Sequence, residues 1–116
     1  MSAHSTVDER IIILMVNKRD DKHLNQHLLN NLSELFWVLS DATRIRILYA
    51  LSEKEMCVCE LARLLNNKQS SISHKLRILR NSKLVGFKRN GKRNIYFLNN
   101  PYAIEIINKA IEFRRN

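Results

Sequence analysis

Two cysteines, Cys57 and Cys59, are separated by one residue. Their thiolates are soft donors suited to Cd2+, Pb2+, Zn2+ and Cu+, and arsenite also binds thiolates strongly. On a regular helix, side chains two residues apart diverge by about 200°. Both sulfurs therefore reach one ion only where a helix start is irregular, and the same divergence disfavours a disulfide within the pair. A Cys-x-Cys alone is a weak metal signal and is more often structural. His23 and His27 are four apart, which puts them on one helix face and could chelate a metal. The plainer reading is two polar residues on an exposed face. No Gly-rich phosphate loop is present, and no nucleophile, base and orienting group can be assembled, so an enzyme is not expected.

The second chemical feature is charge. The 116 residues carry 20 Lys and Arg against 11 Asp and Glu, a net +9. Residues 1–60 hold 7 basic and 9 acidic residues, a net −2, whereas residues 61–116 hold 13 and 2, a net +11. Between Leu61 and Ile104 there are ten basic residues and no acidic one. A merely solvated surface mixes both signs, so this stretch points to an anionic partner, with nucleic acid first. No run approaches the roughly 18 apolar residues of a membrane span. Asp8 and Glu9 stand where a signal peptide would be basic. A cytoplasmic protein with reduced thiols is expected, without membrane partners.

The elements that must position these groups follow from periodicity. With 45% hydrophobic residues but only two Gly and one Pro, the chain reads as one mostly helical folded domain. Residues 1–20 form an irregular N-terminal arm, in which Ile11–Val16 could be a short strand or a helical turn. The folded domain spans residues 21–116. Leu24, Leu28, Leu29, Leu32, Leu35, Phe36 and Leu39 predict a helix from about Asp21 to Leu39. Ser40 or Asp41 caps a second, with Ile45, Ile47, Leu48 and Leu51 inward. A third runs near Cys57–Leu65, with Leu61, Leu64 and Leu65 apolar, and Asn66-Asn67-Lys68 ends it. A fourth covers about Gln69–Asn81, with Ile72, Leu76 and Leu79 inward. The period then shortens. Leu84–Arg89 and Asn94–Leu98 read as strands joined at Asn90-Gly91, both expected at positive φ. Asn99 or Asn100 caps a last helix with Pro101 at its first position and Ile104, Ile107 and Ile111 inward.

Two short helices with a tight break, followed by a basic hairpin, are the parts of a winged helix-turn-helix. The fold class is mainly α with a small β-hairpin. A major groove admits one helix, and base edges there show a distinct donor and acceptor pattern. Gln69, Ser70, Ser71, Ser73 and His74 are short or polar and open the fourth helix. Lys75, Arg77 and the more peripheral Arg80 can meet phosphates. Lys88, Arg89, Lys92 and Arg93 flank the hairpin tip and can straddle an adjacent strand or minor groove. Ser70 alternatively serves as an N-cap, Ser71 as a surface serine and His74 as a packed residue.

Four blocks resemble the core of the ArsR/SmtB metal-sensing repressors: Arg44–Leu48, Glu55–Ala62, Ser71–Leu79 and Leu84-Val85. The likeness runs from about Leu32 to Phe113. It implies a dimeric winged-helix repressor whose first and last helices pair across the two-fold, bound to operator DNA until an inducing metal weakens the complex. It is nearest to the cadmium/lead-sensing branch, in which further ligands come from the partner's N-terminal arm. That arm has no cysteine here, leaving His4 and Asp8, with Glu9 as another oxygen donor. In the arsenite-sensing branch a third cysteine often stands at the position of Ala62. The family's other site, on the last helix, matches Asn100, Tyr102, Phe113 and Asn116, which do not make a zinc ligand set. Lys83 replaces the usual Gly before Leu-Val, so it must adopt a left-handed conformation or another cap must form.

The resemblance implies a homodimer on double-stranded operator DNA, released by a Cd2+, Pb2+ or Zn2+ inducer and using no organic cofactor. An ion tying the third helix to the partner's arm would change the spacing of the recognition helices, which half-sites about 34 Å apart do not tolerate. Alternatives are an arsenite- or antimonite-responsive repressor and a thiol redox-switched regulator. A metal-storage or metallochaperone protein leaves the basic helix and hairpin unexplained.

Overall fold

The computed structural model describes residues 24–116. The arm of residues 1–20 and the apolar run Ile11–Val16 lie outside the described residues, and the helix expected from about Asp21 begins only at Gln26, because Leu24 is not helical and Asn25 caps the helix start. The chain divides into two units at Phe36/Trp37. Helix α1, Gln26–Val38, crosses that division. In the first unit Asn25 caps α1 by accepting the Leu28 N–H at 2.8 Å. Among its described apolar residues, Leu24, Leu28 and Phe36 are exposed, and Leu29, Leu32 and Leu35 are half-buried.

The second unit is built on three helices. Helix α2, Ala42–Glu53, starts where Asp41 Oδ2 accepts the Arg44 N–H at 3.0 Å. Ile47, Leu48 and Leu51 are buried as expected, and Ile45 is half-buried. Strand β1, Met56–Cys57, is followed without a loop by helix α3, Val58–Leu65. Helix α4, Gln69–Asn81, has the expected bounds and buries Ile72, Leu76 and Leu79. Helix α2 packs on both α3 and α4. Each fully buried Leu or Ile in this core is worth about 1.5–3 kcal/mol relative to exposure. Leu64, expected on the apolar side, is instead 59% exposed. A helix of eight residues buries only the narrow stripe of Leu61 and Ala62.

Strands β2, Val85–Asn90, and β3, Arg93–Leu98, form the hairpin. The three-stranded antiparallel sheet has the order β1-β3-β2. The turn is one residue later than expected. Asn90 pairs with Arg93, so Gly91 and Lys92 are the loop residues. Gly91 alone takes a positive φ, 67°, and Asn90 does not. Glycine at the first loop position is the pattern of a II′ turn rather than the I′ turn that Asn-Gly favours. Strand β1 was not anticipated. Two residues carry no periodicity, and its register, Met56 with Tyr96 and Cys57 with Ile95, exists only once the hairpin is folded. Helix α5, Tyr102–Arg115, closes the chain with Ala103 and Ile107 buried. Pro101 stands at its cap rather than inside its first turn, and Asn100 Oδ1 accepts the Tyr102 N–H at 3.0 Å.

Lys83 does take the left-handed conformation, at φ 63°. Lys83 N–H donates to Arg80 O at 2.9 Å and Leu84 N–H to Leu79 O at 3.0 Å, a Schellman closure of α4. Asn99 Nδ2 donates to Lys83 O at 2.8 Å, fixing the same corner from the far end of the hairpin. A left-handed non-glycine residue costs about 1–2 kcal/mol, while glycine gives the unfolded chain about 0.4–1 kcal/mol of extra entropy. Lys83→Gly is therefore expected to stabilise the protein by about 0.5–1 kcal/mol, measured by chemical denaturation. Lys83→Val should destabilise it.

Candidate nucleic-acid interface and thiol site

The apolar stripe of α4 turns its polar side outward. Gln69, Ser70, Ser73, His74 and Arg77 are exposed, and Ser71 is half-buried. Ser70 is not the N-cap. That position is Lys68, which is extended and provides no side-chain acceptor. The N–H groups of the first turn therefore have no side-chain cap, and the positive end of the helix faces outward with them. Exposure of His74 removes the packed-residue alternative.

Lys75 sits differently from its neighbours. It is half-buried, and its Nζ lies 2.9 Å from Asp41 Oδ1. Since Asp41 Oδ2 caps α2, one carboxylate ties the start of α2 to the second turn of α4. The hydrogen bond from Lys75, and next the Arg44 N–H, hold the Asp41 carboxyl below its ordinary range against the opposing effect of burial. Arg80 lies with its guanidinium 4.4 Å from the Phe87 ring, a cation–π contact that places it against the hairpin. In the hairpin Lys88, Arg89, Lys92 and Arg93 are all exposed. Lys88 Nζ pairs with Glu55 Oε1 at 2.9 Å. Helix α4 and the hairpin thus present exposed cations, with Lys75 and Lys88 paired to Asp41 and Glu55.

Cys57 and Cys59 are both free thiols, the first buried and the second exposed. Cys57 is extended, with φ −86° and ψ 169°, and is the last residue of β1 as well as the N-cap of α3. The irregular helix start that two converging sulfurs require is present, because only Cys59 belongs to the helix. With Val58, Arg93 and Asn94, the two cysteines line a cleft of about 200 Å³. Arg63 Nη2 lies 3.7 Å from Cys59 Sγ. Glu60 accepts the Cys57 N–H at 3.1 Å, and Lys54 Nζ is 3.8 Å from its other oxygen. The backbone N–H and then the side chain of Cys57 hold the Glu60 carboxyl below its ordinary range.

Two thiols on one cleft suit a thiophilic ion, but as part of a donor set. Among the described residues no three His, Cys, Asp or Glu side chains are grouped to hold a metal. His4, Asp8, Glu9 and His23 lie outside the described residues. His27 is exposed on α1, with Nε2 3.2 Å from Asn31 Nδ2. Asn94 and Glu60 carry no sequence signal, and Asp41 is legible only as a candidate cap of α2, which it is. Asn94 is one asparagine among several, and only the fold carries it to the cysteines.

The chain matches the description "Bacterial regulatory protein, arsR family" over residues 41–86. It is 34% identical over 86 residues to a cadmium resistance transcriptional regulatory protein CadC homolog of Staphylococcus aureus, covering 73% of this chain and 71% of that protein. It is 44% identical over 66 residues to a transcriptional repressor SmtB homolog of Synechocystis sp., covering 57% of this chain. The match spans about half, 49%, of that relative's length. The crystal structure of Mycobacterium tuberculosis Rv0081 superposes with a TM-score of 0.69 at 30% identity, covering 76% of this chain and 89% of that one. The fold is a winged helix-turn-helix, with α3 and α4 as the helix pair and β2–β3 as the wing. The chain belongs to the ArsR family of bacterial regulatory proteins, a family of transcriptional regulators and not of enzymes. No helix of the described residues is long and apolar enough to cross a membrane.

The Asp41–Lys75 tie has a definite pH signature. A carboxylate whose folded pKa is lowered adds stability that is complete above its unfolded value, near 3.8, and is lost as pH falls through the folded value. Asn at position 41 can still cap α2, so Asp41→Asn removes the ion pair alone. Wild type is expected to exceed Asp41→Asn by up to about 1 kcal/mol at neutral pH. The gap should close below about pH 4, measured by denaturant titration at each pH.

Proposed function

We propose that this protein is a transcriptional repressor that binds operator DNA as a homodimer and lets go when Cys57 and Cys59 capture a thiophilic metal ion. The observation that carries the reading is the placement of both thiols on one cleft at the root of α3, the helix that supports α4. The CadC and SmtB homologs are named for cadmium resistance and for repression, which supports the same reading.

Each group has a role in it. Gln69, Ser70, Ser71, Ser73 and His74 face base edges in the major groove. Arg77 meets phosphate, as do Lys88, Arg89, Lys92 and Arg93 of the wing. Lys75 and Lys88 meet phosphate only by sharing or leaving their carboxylate partners, Asp41 and Glu55. Exposed apolar side chains on α1, such as Leu28 and Phe36, support a homodimer, as do Tyr102, Ile106 and Phe113 on α5. Cys57 and Cys59 are two sulfur donors, and His4 and Asp8 of the arm are candidates to complete the set. When bound, a Cd2+, Pb2+ or Zn2+ ion supplies a cross-link at the start of α3. Two sulfurs without a third at Ala62 suit these ions better than arsenite, which favours three. A redox-switched reading rests on one observation, the exposed Cys59 beside the Arg63 guanidinium.

The Cys57→Ser, Cys59→Ser protein is expected to bind operator DNA like wild type, with Cd2+ no longer weakening it. Wild type should lose about 5–150-fold in affinity on Cd2+ addition. Fluorescence anisotropy on duplex DNA reads both. Equal release of the double mutant by Cd2+ would sink the assignment. Release by mild oxidant with loss of both thiols and no bound metal would favour the redox reading. For the DNA contacts, log K should fall by about 0.9 per neutralised phosphate with log salt. Arg77→Ala or Lys92→Ala should each reduce that slope by about 1.

A further inference from the structure

Helix α4 and the hairpin are joined by three residues, Ser82, Lys83 and Leu84. The base of the hairpin is well held. Val85 is buried, Asn99 N–H donates to Leu84 O at 3.1 Å, and Asn99 Nδ2 holds Lys83 O. Beyond Val85 the support thins. Side chains alternate faces along a strand, so Val85, Phe87 and Arg89 share one face of β2. They are buried, half-buried and exposed in that order. Strand β2 is an edge strand, whereas β3 lies between it and β1. The ladder fixes spacing within the sheet, not the angle between the sheet and a helix packed on it. Arg80 supplies a restraint of the second kind. It stands in the last turn of α4, exposed, with its guanidinium 4.4 Å from the centre of the Phe87 ring. Tyr96, the cross-strand partner of Phe87, backs that ring at 5.6 Å between centres. A planar, weakly hydrated guanidinium is well suited to such a face.

We propose that Arg80 is a positioning residue for DNA binding: stacked on Phe87, it sets the angle of the wing against α4, so that Arg77 and the wing cations meet phosphates together. The proposal rests on the reading above that both elements contact DNA. Arg80 and Arg77 are both cations of one helix, yet Arg80 directs its charge at a ring and not at phosphate. The hairpin tip at Gly91 lies about 13 Å beyond Phe87 at 3.3 Å per residue, so a small tilt at the ring displaces the tip by more. Arg89, Lys92 and Arg93 all stand on that outer part and are exposed. Phe87, a neutral side chain, thereby governs how many phosphates the wing neutralises.

The test uses the full chain and a fluorescein-labelled duplex that wild type selects from a random-sequence pool. Anisotropy titrations are run over a range of salt concentrations. Phe87→Leu removes no charge. It should nevertheless bind about 2–5-fold more weakly, the scale of losing one exposed cation–π contact. It should also flatten log K against log salt by about 0.9 for each wing cation that leaves its phosphate. Phe87→Tyr keeps the ring and should restore wild-type affinity and slope. Arg80→Gln should weaken binding in the wild-type chain and add little to Phe87→Leu, because the two residues act as a pair. Lys92→Ala should cost less in Phe87→Leu than in wild type. Chemical denaturation of each variant separates positioning from folding. A Phe87→Leu chain with a lower denaturation midpoint but an unchanged salt slope would overturn the proposal. So would an Arg80→Gln loss of equal size with and without Phe87→Leu, the mark of a direct phosphate contact. Both results leave the DNA-binding reading standing. A wild-type chain that selects no duplex would overturn that reading, and this proposal with it.

Discussion

The backbone changes state at Cys57, and the rest of the site depends on that change. One residue ends a strand, pairs with Ile95 of the wing and caps the helix that carries Cys59. A cysteine one turn inside a regular helix would send its sulfur away from a neighbour two positions on. The extended conformation of Cys57 allows both to border one cleft. It also removes any loop between sheet and helix, so displacement of α3 at this point is felt by β3. Glu60 reinforces the corner from inside the helix by accepting the Cys57 N–H.

The exposed polar face of α4 is set from beneath. Ile72, Leu76 and Leu79 are fully buried and fix the rotation of α4 about its axis. Asp41 adds a polar restraint through Lys75 in the second turn of α4. The acidic residues near this surface are used at its margins: Asp41 under α4, Glu55 against Lys88 and Glu60 at the cysteines. The outer face remains basic, which suits a polyanion whose bound counterions are released on contact.

The sequence shows the helix-turn-helix well because its helices have strong apolar spacing and its breaks are chemical. Asn66 occupies the left-handed corner, and α4 has the expected bounds. The wing strands were legible from the change of period, but their turn was misplaced by one residue because Asn-Gly suggests a loop pair that the register does not use. Strand β1 could not be read, since it comes from contacts between segments nearly forty residues apart. Leu64 misled for another reason: helical spacing counts apolar residues, whereas a short helix has room to bury only some of them. Lys75 was visible as a cation, but not its partner 34 positions away.

The two-residue loop at Gly91-Lys92 makes the wing sensitive to parity. Side chains alternate faces along each strand, so one inserted residue would turn every charge beyond it to the opposite side of the sheet. A matched pair, one residue added to each strand beside the tip, would keep opposite positions paired and extend the arm by about 3.3 Å. Changes in wing length among functional variants of this chain should therefore come in steps of two residues, with glycine remaining first in the turn.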